Sequence, residues 1–252
     1  MKRSIALLIA VLMIFGILAG CGNTSSGGNE TTSAPTLGTE DITAVNGVGT
    51  ILVNAGAVIT VIYDAEGTVV KLVGMNDNGK ELVLDYESQL GSSCAMVVSE
   101  CIKDGVMQEY MFDINHVVVK LNKGSALPEE KFLENIEAAV QETLNKMSSS
   151  ASLVMIGEEN LDHNGYIDLV TAKVLVEKFL QVDALDSFDG TDMPIDGWYG
   201  FNVLYGGMEE QILVNAETGG VAQGTLDELE DGLDEIEEEE TTPENEEEPT
   251  EE

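Results

Sequence analysis

The run that decides the fold is Gly49-Thr-Ile-Leu-Val-Asn-Ala-Gly-Ala-Val-Ile-Thr-Val-Ile-Tyr63, followed by Asp64-Ala-Glu-Gly67, Thr68-Val-Val-Lys-Leu-Val-Gly-Met75 and Asn76-Asp-Asn-Gly79. Thr50 to Asn54 and Val58 to Tyr63 are short β-branched runs bounded by turn residues, the pattern of a hairpin. Thr68 to Met75 adds a third strand, Asn76 to Gly79 gives the next turn, and Glu81 to Leu84 continues the hairpin pattern.

Outward from this core the pattern changes period. Leu90, Cys94, Val97, Val98 and Cys101 recur at helical intervals, which predicts a helix from about Glu87 to Lys103 with both thiols on its apolar face. Seven residues of helix put the two Cα atoms about 10.5 Å apart, beyond the roughly 7 Å a disulfide spans. The thiols are therefore expected buried and reduced. Glu109 to Leu121 is β-rich, and Pro128 with Glu129 and Glu130 opens a helix whose stripe is Phe132, Ile136, Val140 and Leu144. Leu153 to Ile156 returns as a strand. Asp168 caps a helix over Leu169 to Leu180, with Ala172, Leu175, Val176, Phe179 and Leu180 on one face. After a loop from Asp183 to Gly197 come strands at Trp198 to Tyr205 and Gln211 to Asn215, closed by Ala216-Glu-Thr-Gly-Gly-Val221. Strands and helices alternate without a Gly-rich phosphate loop, so the expected class is α+β, as two small α/β sandwich-like domains over residues 45–157 and 158–224.

The ends have other compositions. Lys2 and Arg3 precede an apolar run, Ile5 to Ala19, and Leu18-Ala-Gly-Cys21 resembles a bacterial lipobox. Residues 1–20 then read as a lipoprotein signal peptide, with Cys21 the acylated (palmitate-type) new N-terminus on the extracytoplasmic face of the cell membrane. Two or more acyl chains anchor stably, at about 0.8 kcal/mol per buried methylene. Residues 21–44 are Ser-, Thr-, Gly- and Asn-rich, a flexible tether. From Thr225 to Glu252 there are sixteen acids and no Lys or Arg, a disordered, solubilising acidic tail.

The whole chain of 252 residues carries 11 Lys plus Arg against 47 Asp plus Glu, a formal charge of −36. That balance excludes nucleic acid, which needs clustered cations against phosphate. Removing signal and tail still leaves 31 acids against 9 lysines, so membrane attachment comes from lipid and not from charge.

The motif from Gly49 to Lys80 resembles the extracytoplasmic middle domain of RsgI-type anti-sigma factors: a strand ending near Val-Asn, a second strand, a Gly turn, and a strand running into Asn-Asp-Asn-Gly. The resemblance spans Val45 to Gly157. It implies an extracytoplasmic regulatory module. The family's Asn-Pro, associated with backbone self-cleavage, is Asn54-Ala55 here, and Asn54 reads as a strand-end turn residue. With Cys21 lipidated no cytoplasmic segment would hold a sigma factor, so the expected partner is an extracytoplasmic protein or wall component. Leu161 to Gly224 is similar to PepSY-type domains, whose closing (Val)-Asp-Ala-x-Thr-Gly-x-Val corresponds to Val214-Asn215-Ala-Glu-Thr-Gly219-Gly-Val221. That resemblance implies binding or restraint of partner proteins, and Gly219 suits a position with φ > 0.

Candidate chemistry is sparse. Asn160, Asp162, Asn164 and Asp168 occupy positions 1, 3, 5 and 9 of a calcium-loop pattern, with Gly165 at 6. Position 12 is Thr171 in place of a bidentate acid, so the window is read as an Asn-Gly turn before a capped helix and no metal is assigned. His116 and His163 lack a nucleophile or acid at motif spacing, and Ser148 to Ser150 is no nucleophile elbow. Beyond Arg3 the chain has no arginine for a bidentate anion clamp. Trp198, Tyr199, Phe201 and Tyr205 form one aromatic cluster, read first as core and second as a peptide or glycan surface. The expected function is a lipid-anchored, non-catalytic binding or regulatory protein without cofactor. The alternatives are a calcium-responsive or wall-associated structural protein, then a hydrolase.

Overall fold

The computed structural model describes residues 45–108, 110 and 115–226. The signal run, Cys21, the Ser/Thr-rich segment to residue 44 and the acids from Asp227 onward lie outside them. Among the described residues no helix is long and apolar enough to cross a membrane.

The opening motif forms three antiparallel strands, β1 (Gly49–Ala55), β2 (Ala57–Tyr63) and β3 (Val69–Gly74). The β1–β2 connection is very tight: Ala55 pairs Ala57, with only Gly56 between them at φ +80. A Cβ on Gly56 would stand 2.0 Å from the Tyr110 carbonyl oxygen, so glycine is required there on two grounds. Asn76 closes the hairpin from outside. Its Nδ2 donates to Gly56 O at 2.9 Å, and its Oδ1 accepts from Val58 N at 2.9 Å and Gly79 N at 2.8 Å.

That last bond explains a departure from the sequence reading. Asn76-Asp-Asn-Gly79 is not a hairpin turn leading into Glu81 to Leu84 as another extended segment. Asn76 is the N-cap of helix α1 (Asp77–Leu84), which buries Leu82. The expected helix from Glu87 also starts later. Glu87–Gln89 is a single 3-10 turn, Gly91 takes φ +89, and α2 runs from Cys94 to Met107. Residues 91–93 are held against β3, Gly91 N donating to Val69 O and Val69 N to Ser92 O, with Ser93 bridging Thr68. Leu90 is consequently exposed and leaves the stripe, while Cys94, Val97, Val98 and Cys101 are buried together. Both thiols are free, as expected.

β4 (His116–Leu121) joins β1 antiparallel, α3 (Phe132–Lys146) crosses over, and β5 (Ser152–Ile156) lies parallel to β4. The parallel pair requires a crossover connection, and α3 provides it. The sheet order is β3-β2-β1-β4-β5. One face, with Ile51, Val53, Ile59, Val61, Val117 and Val119, packs against α1, α2 and α3, including the Phe132, Ile136, Val140 and Leu144 stripe.

The rest of the chain builds on the opposite face. α4 (Leu169–Leu180) is capped by Asp168, whose Oδ1 accepts from Thr171 N at 2.7 Å. It is followed by β6 (Ser187–Gly190), β7 (Trp198–Tyr205), β8 (Met208–Asn215) and β9 (Val221–Gln223), an antiparallel sheet in that order. β6 falls inside the stretch read as loop. It is an edge strand whose apolar contribution is Phe188, packed on Phe201, too little for a period to show. The second core joins Val118, Val154 and Ile156 of the first sheet to Ala172, Leu175 and Val176 of α4 and to Tyr199, Phe201, Ile212 and Val214 of the second sheet. Mixed strands and helices in these layers are an α+β arrangement.

A candidate functional site beneath the β8–β9 turn

The β8–β9 connection is the point where the second sheet touches the first with polar groups. Asn215 Oδ1 accepts from Glu217 N (3.0 Å), Thr218 N (2.8 Å) and Thr218 Oγ1 (3.0 Å), so the turn is knit by one side-chain oxygen. An acceptor is all these bonds need, which is why Asn serves where the resembling pattern has Asp. Gly219 at φ +69 brings the backbone down on β4, where a Cβ would lie 3.0 Å from Val118 Cγ2.

The carbonyls at the tip point into the first sheet. Asn54 Nδ2 donates to Thr218 O at 3.2 Å, and its Oδ1 accepts from Gly56 N at 3.1 Å. Asn54, expected as a strand-end turn residue, is thus also a tie between the sheets. His116 Nε2 lies 3.3 Å from Gly219 O. A carbonyl only accepts, so the ring carries its proton on Nε2 and Nδ1 is an acceptor. That Nδ1 is buried and has no hydrogen-bond partner. Burial pushes the imidazole below its ordinary range, against the Gly219 carbonyl, which favours the charged form.

On the same face of β4, Lys120 is 4% exposed. Its Nζ reaches Gly165 O at 3.5 Å, a long contact, and burial lowers its pKa to about 8 despite Glu217 and Asp162 nearby. Burial raises the Glu217 carboxyl while Lys120 holds it down. This buried trio of Asn54, His116 and Lys120 escaped sequence reasoning. The available signal was a histidine and a lysine of one parity inside His116-Val-Val-Val-Lys-Leu121, a strand otherwise apolar.

The calcium-like window turns its oxygens on itself. Asn160 Oδ1 accepts from Gly157 N, Asp162 Oδ1 from Asn164 N and Tyr166 N, and Asp168 Oδ1 caps α4. Lys120 and Lys123 donate to the loop carbonyls of Gly165 and His163, which brings two ammonium groups to the same loop. Among the described residues no three of His, Cys, Asp and Glu converge as a metal set. Of the aromatic cluster, Tyr199 and Phe201 are buried, Tyr199 donating to Ile167 O at 2.9 Å and stacking on Phe201, while Trp198 and Tyr205 are half-buried. A shallow groove of about 720 Å³ lies on the second sheet, lined by Ser187, Asp189, Asn202, Glu209 and Gln211 among others, and it includes neither His116 nor Lys120.

Residues 58–175, a little under half of the chain, match the family model of the anti-sigma factor RsgI-like central domain. The match starts at the first residues of β2 and continues past Gly157 into α4, so it takes in β5 and β4, the strand bearing His116 and Lys120. No curated protein matches the sequence.

Proposed function

We propose that the protein is a non-catalytic regulatory or binding module held at the outer face of the cytoplasmic membrane by lipid on Cys21. Its partner, on this reading, is an extracytoplasmic protein or wall component. The observation that carries it is the RsgI-like stretch over residues 58–175, which brings a regulatory, protein-binding family to this chain. The site chemistry supports the same side. His116 and Lys120 have perturbed proton affinities, as catalytic groups often do. Yet both are buried under backbone carbonyls of the β8–β9 turn, with exposures of 2% and 4%, and a substrate has no access to them there. Their arrangement joins two sheets and does not open on a cleft.

The α4-to-β9 part is a PepSY-like partner-binding unit on this proposal, supported by a helix followed by antiparallel strands and by the Asn215-knit turn. Two measurements test the proposal. Metabolic labelling with a palmitate analogue should mark the wild-type chain and not Cys21→Ser, and label on the variant refutes the anchor. Crosslinking in intact cells, followed by pull-down, should capture an extracytoplasmic protein or wall fragment. Capture of a cytoplasmic sigma factor instead would overturn the partner assignment.

A further inference from the structure

We infer that the Asn215–Gly220 turn is an acid-released latch: protonation of His116 undocks the turn from the first sheet. The geometry requires this direction. The neutral ring spends its one N–H on Gly219 O, and its other nitrogen has only a lone pair, buried and unmatched. A second proton puts a charge and an N–H without an acceptor into a site that is 2% exposed. Opening the turn solvates that ring, so acid favours the open form.

No counter-charge relieves it. The charged side chains on the surrounding elements are Lys120 on β4, Glu217 on the turn, Asp162 and Asp168 before α4, and Lys173, Glu177 and Lys178 on α4, and none hydrogen-bonds the ring. β5 faces His116 with Ser152. Burial is the larger influence on the imidazole and the Gly219 carbonyl the lesser, so the closed form binds a proton more weakly than a free ring of pKa 6.5. By linkage the latch is fully closed above about 6.5 and opens as pH falls below it. Release is local because the bonds at stake, Asn54 to Thr218 O and His116 to Gly219 O, hold only the turn.

Native-state hydrogen exchange on the full chain tests this, with rates corrected for the intrinsic effect of pH. From pH 7 to 5 the opening constant at the Gly219 and Ile167 amides, which donate to Asn215 O and Ala216 O, should rise by up to about tenfold per pH unit below 6.5. Amides of α2, in the first core, should not follow. In His116→Gln, which keeps a donor and cannot titrate, the rise at the turn should vanish. A flat wild-type profile, the same rise in His116→Gln, or an equal rise in α2 would each overturn the latch. The ring gives a readout that needs no variant. Its nitrogen and carbon shifts in the wild type should report the Nε2–H tautomer at pH 7 and no titration until below 6.5; the other tautomer, or titration at or above 6.5, refutes the mechanism.

Discussion

Replacing Lys120 with methionine should make the protein more stable. The lysine is 4% exposed on β4, and burial drops its pKa from 10.5 to about 8. At about 1.4 kcal/mol per unit, that difference of roughly 2.5 units means the charged side chain costs the fold about 3 kcal/mol at pH 7. Methionine keeps most of the aliphatic volume and removes the charge. It also gives up the 3.5 Å contact with Gly165 O, worth under about 1 kcal/mol at that length, and leaves Glu217 without its cation. The net expectation is a gain of about 2 kcal/mol, read as a urea midpoint raised by about 1 M with unchanged slope. pH gives the sharper signature. Between pH 8 and 10.5 the unfolded lysine still holds a proton that the folded one has released, so wild-type stability gains from this group as pH rises. The gap between Lys120→Met and wild type should therefore shrink across that window, and other titrations cancel in the difference. A variant less stable than wild type at pH 7, or a gap independent of pH, would refute the reasoning.

Other expectations follow from single contacts. Asn76→Ala removes three hydrogen bonds that join the β1–β2 hairpin to the α1 cap, and should cost about 2–3 kcal/mol in denaturant unfolding; a loss under 0.5 kcal/mol would deny Asn76 that role. Burial pushes both thiols, Cys94 and Cys101, up to about 12. They should resist a thiol reagent at pH 8 until the chain is unfolded, and stability should fall as pH rises above the unfolded thiol value of about 8.5, because the folded chain cannot release those protons. Prompt labelling of the native protein would contradict this. Millimolar calcium should leave the melting temperature unchanged, since Asp162 bonds its own backbone and position 12 is Thr171 in place of a bidentate acid; a rise abolished by Asp162→Ala would restore the metal reading.

Elements with strong periods were legible. The alternating runs of β1 and β2, the four-residue spacing of α3 and the Asp168 cap of α4 each follow from local residues; β1, β2 and α4 lie at nearly the expected bounds, while α3 starts at Phe132 and not at the Pro128 expected to open it. What failed depended on distant partners. Asn76-Asp-Asn-Gly79 suits a turn or a helix cap equally, and Val58 N and Gly56 O, brought alongside by the hairpin, decide for the cap. Leu90 fits a helical stripe until Gly91 and Ser92 pair beside Val69. β6 has Phe188 and little else to show. The junction was least legible, because Asn54, His116, Lys120 and Gly219 lie as much as 165 positions apart and meet only when the β8–β9 turn lands on β4. No local pattern encodes that meeting.

β4 has two clients. Val117, Val119 and Leu121 serve the first core, and Val118 lies in the second with Val154 and Ile156 of β5. A protease cut or stop codon just after Gly157 would spare every strand of the first sheet, yet it would strip the cover from that second surface. The remnant would present Val118, Val154 and Ile156 to water beside an unmatched Lys120. Such a fragment is a candidate for self-association, and partial degradation from the C-terminal side would yield a sticky body in place of a smaller working one.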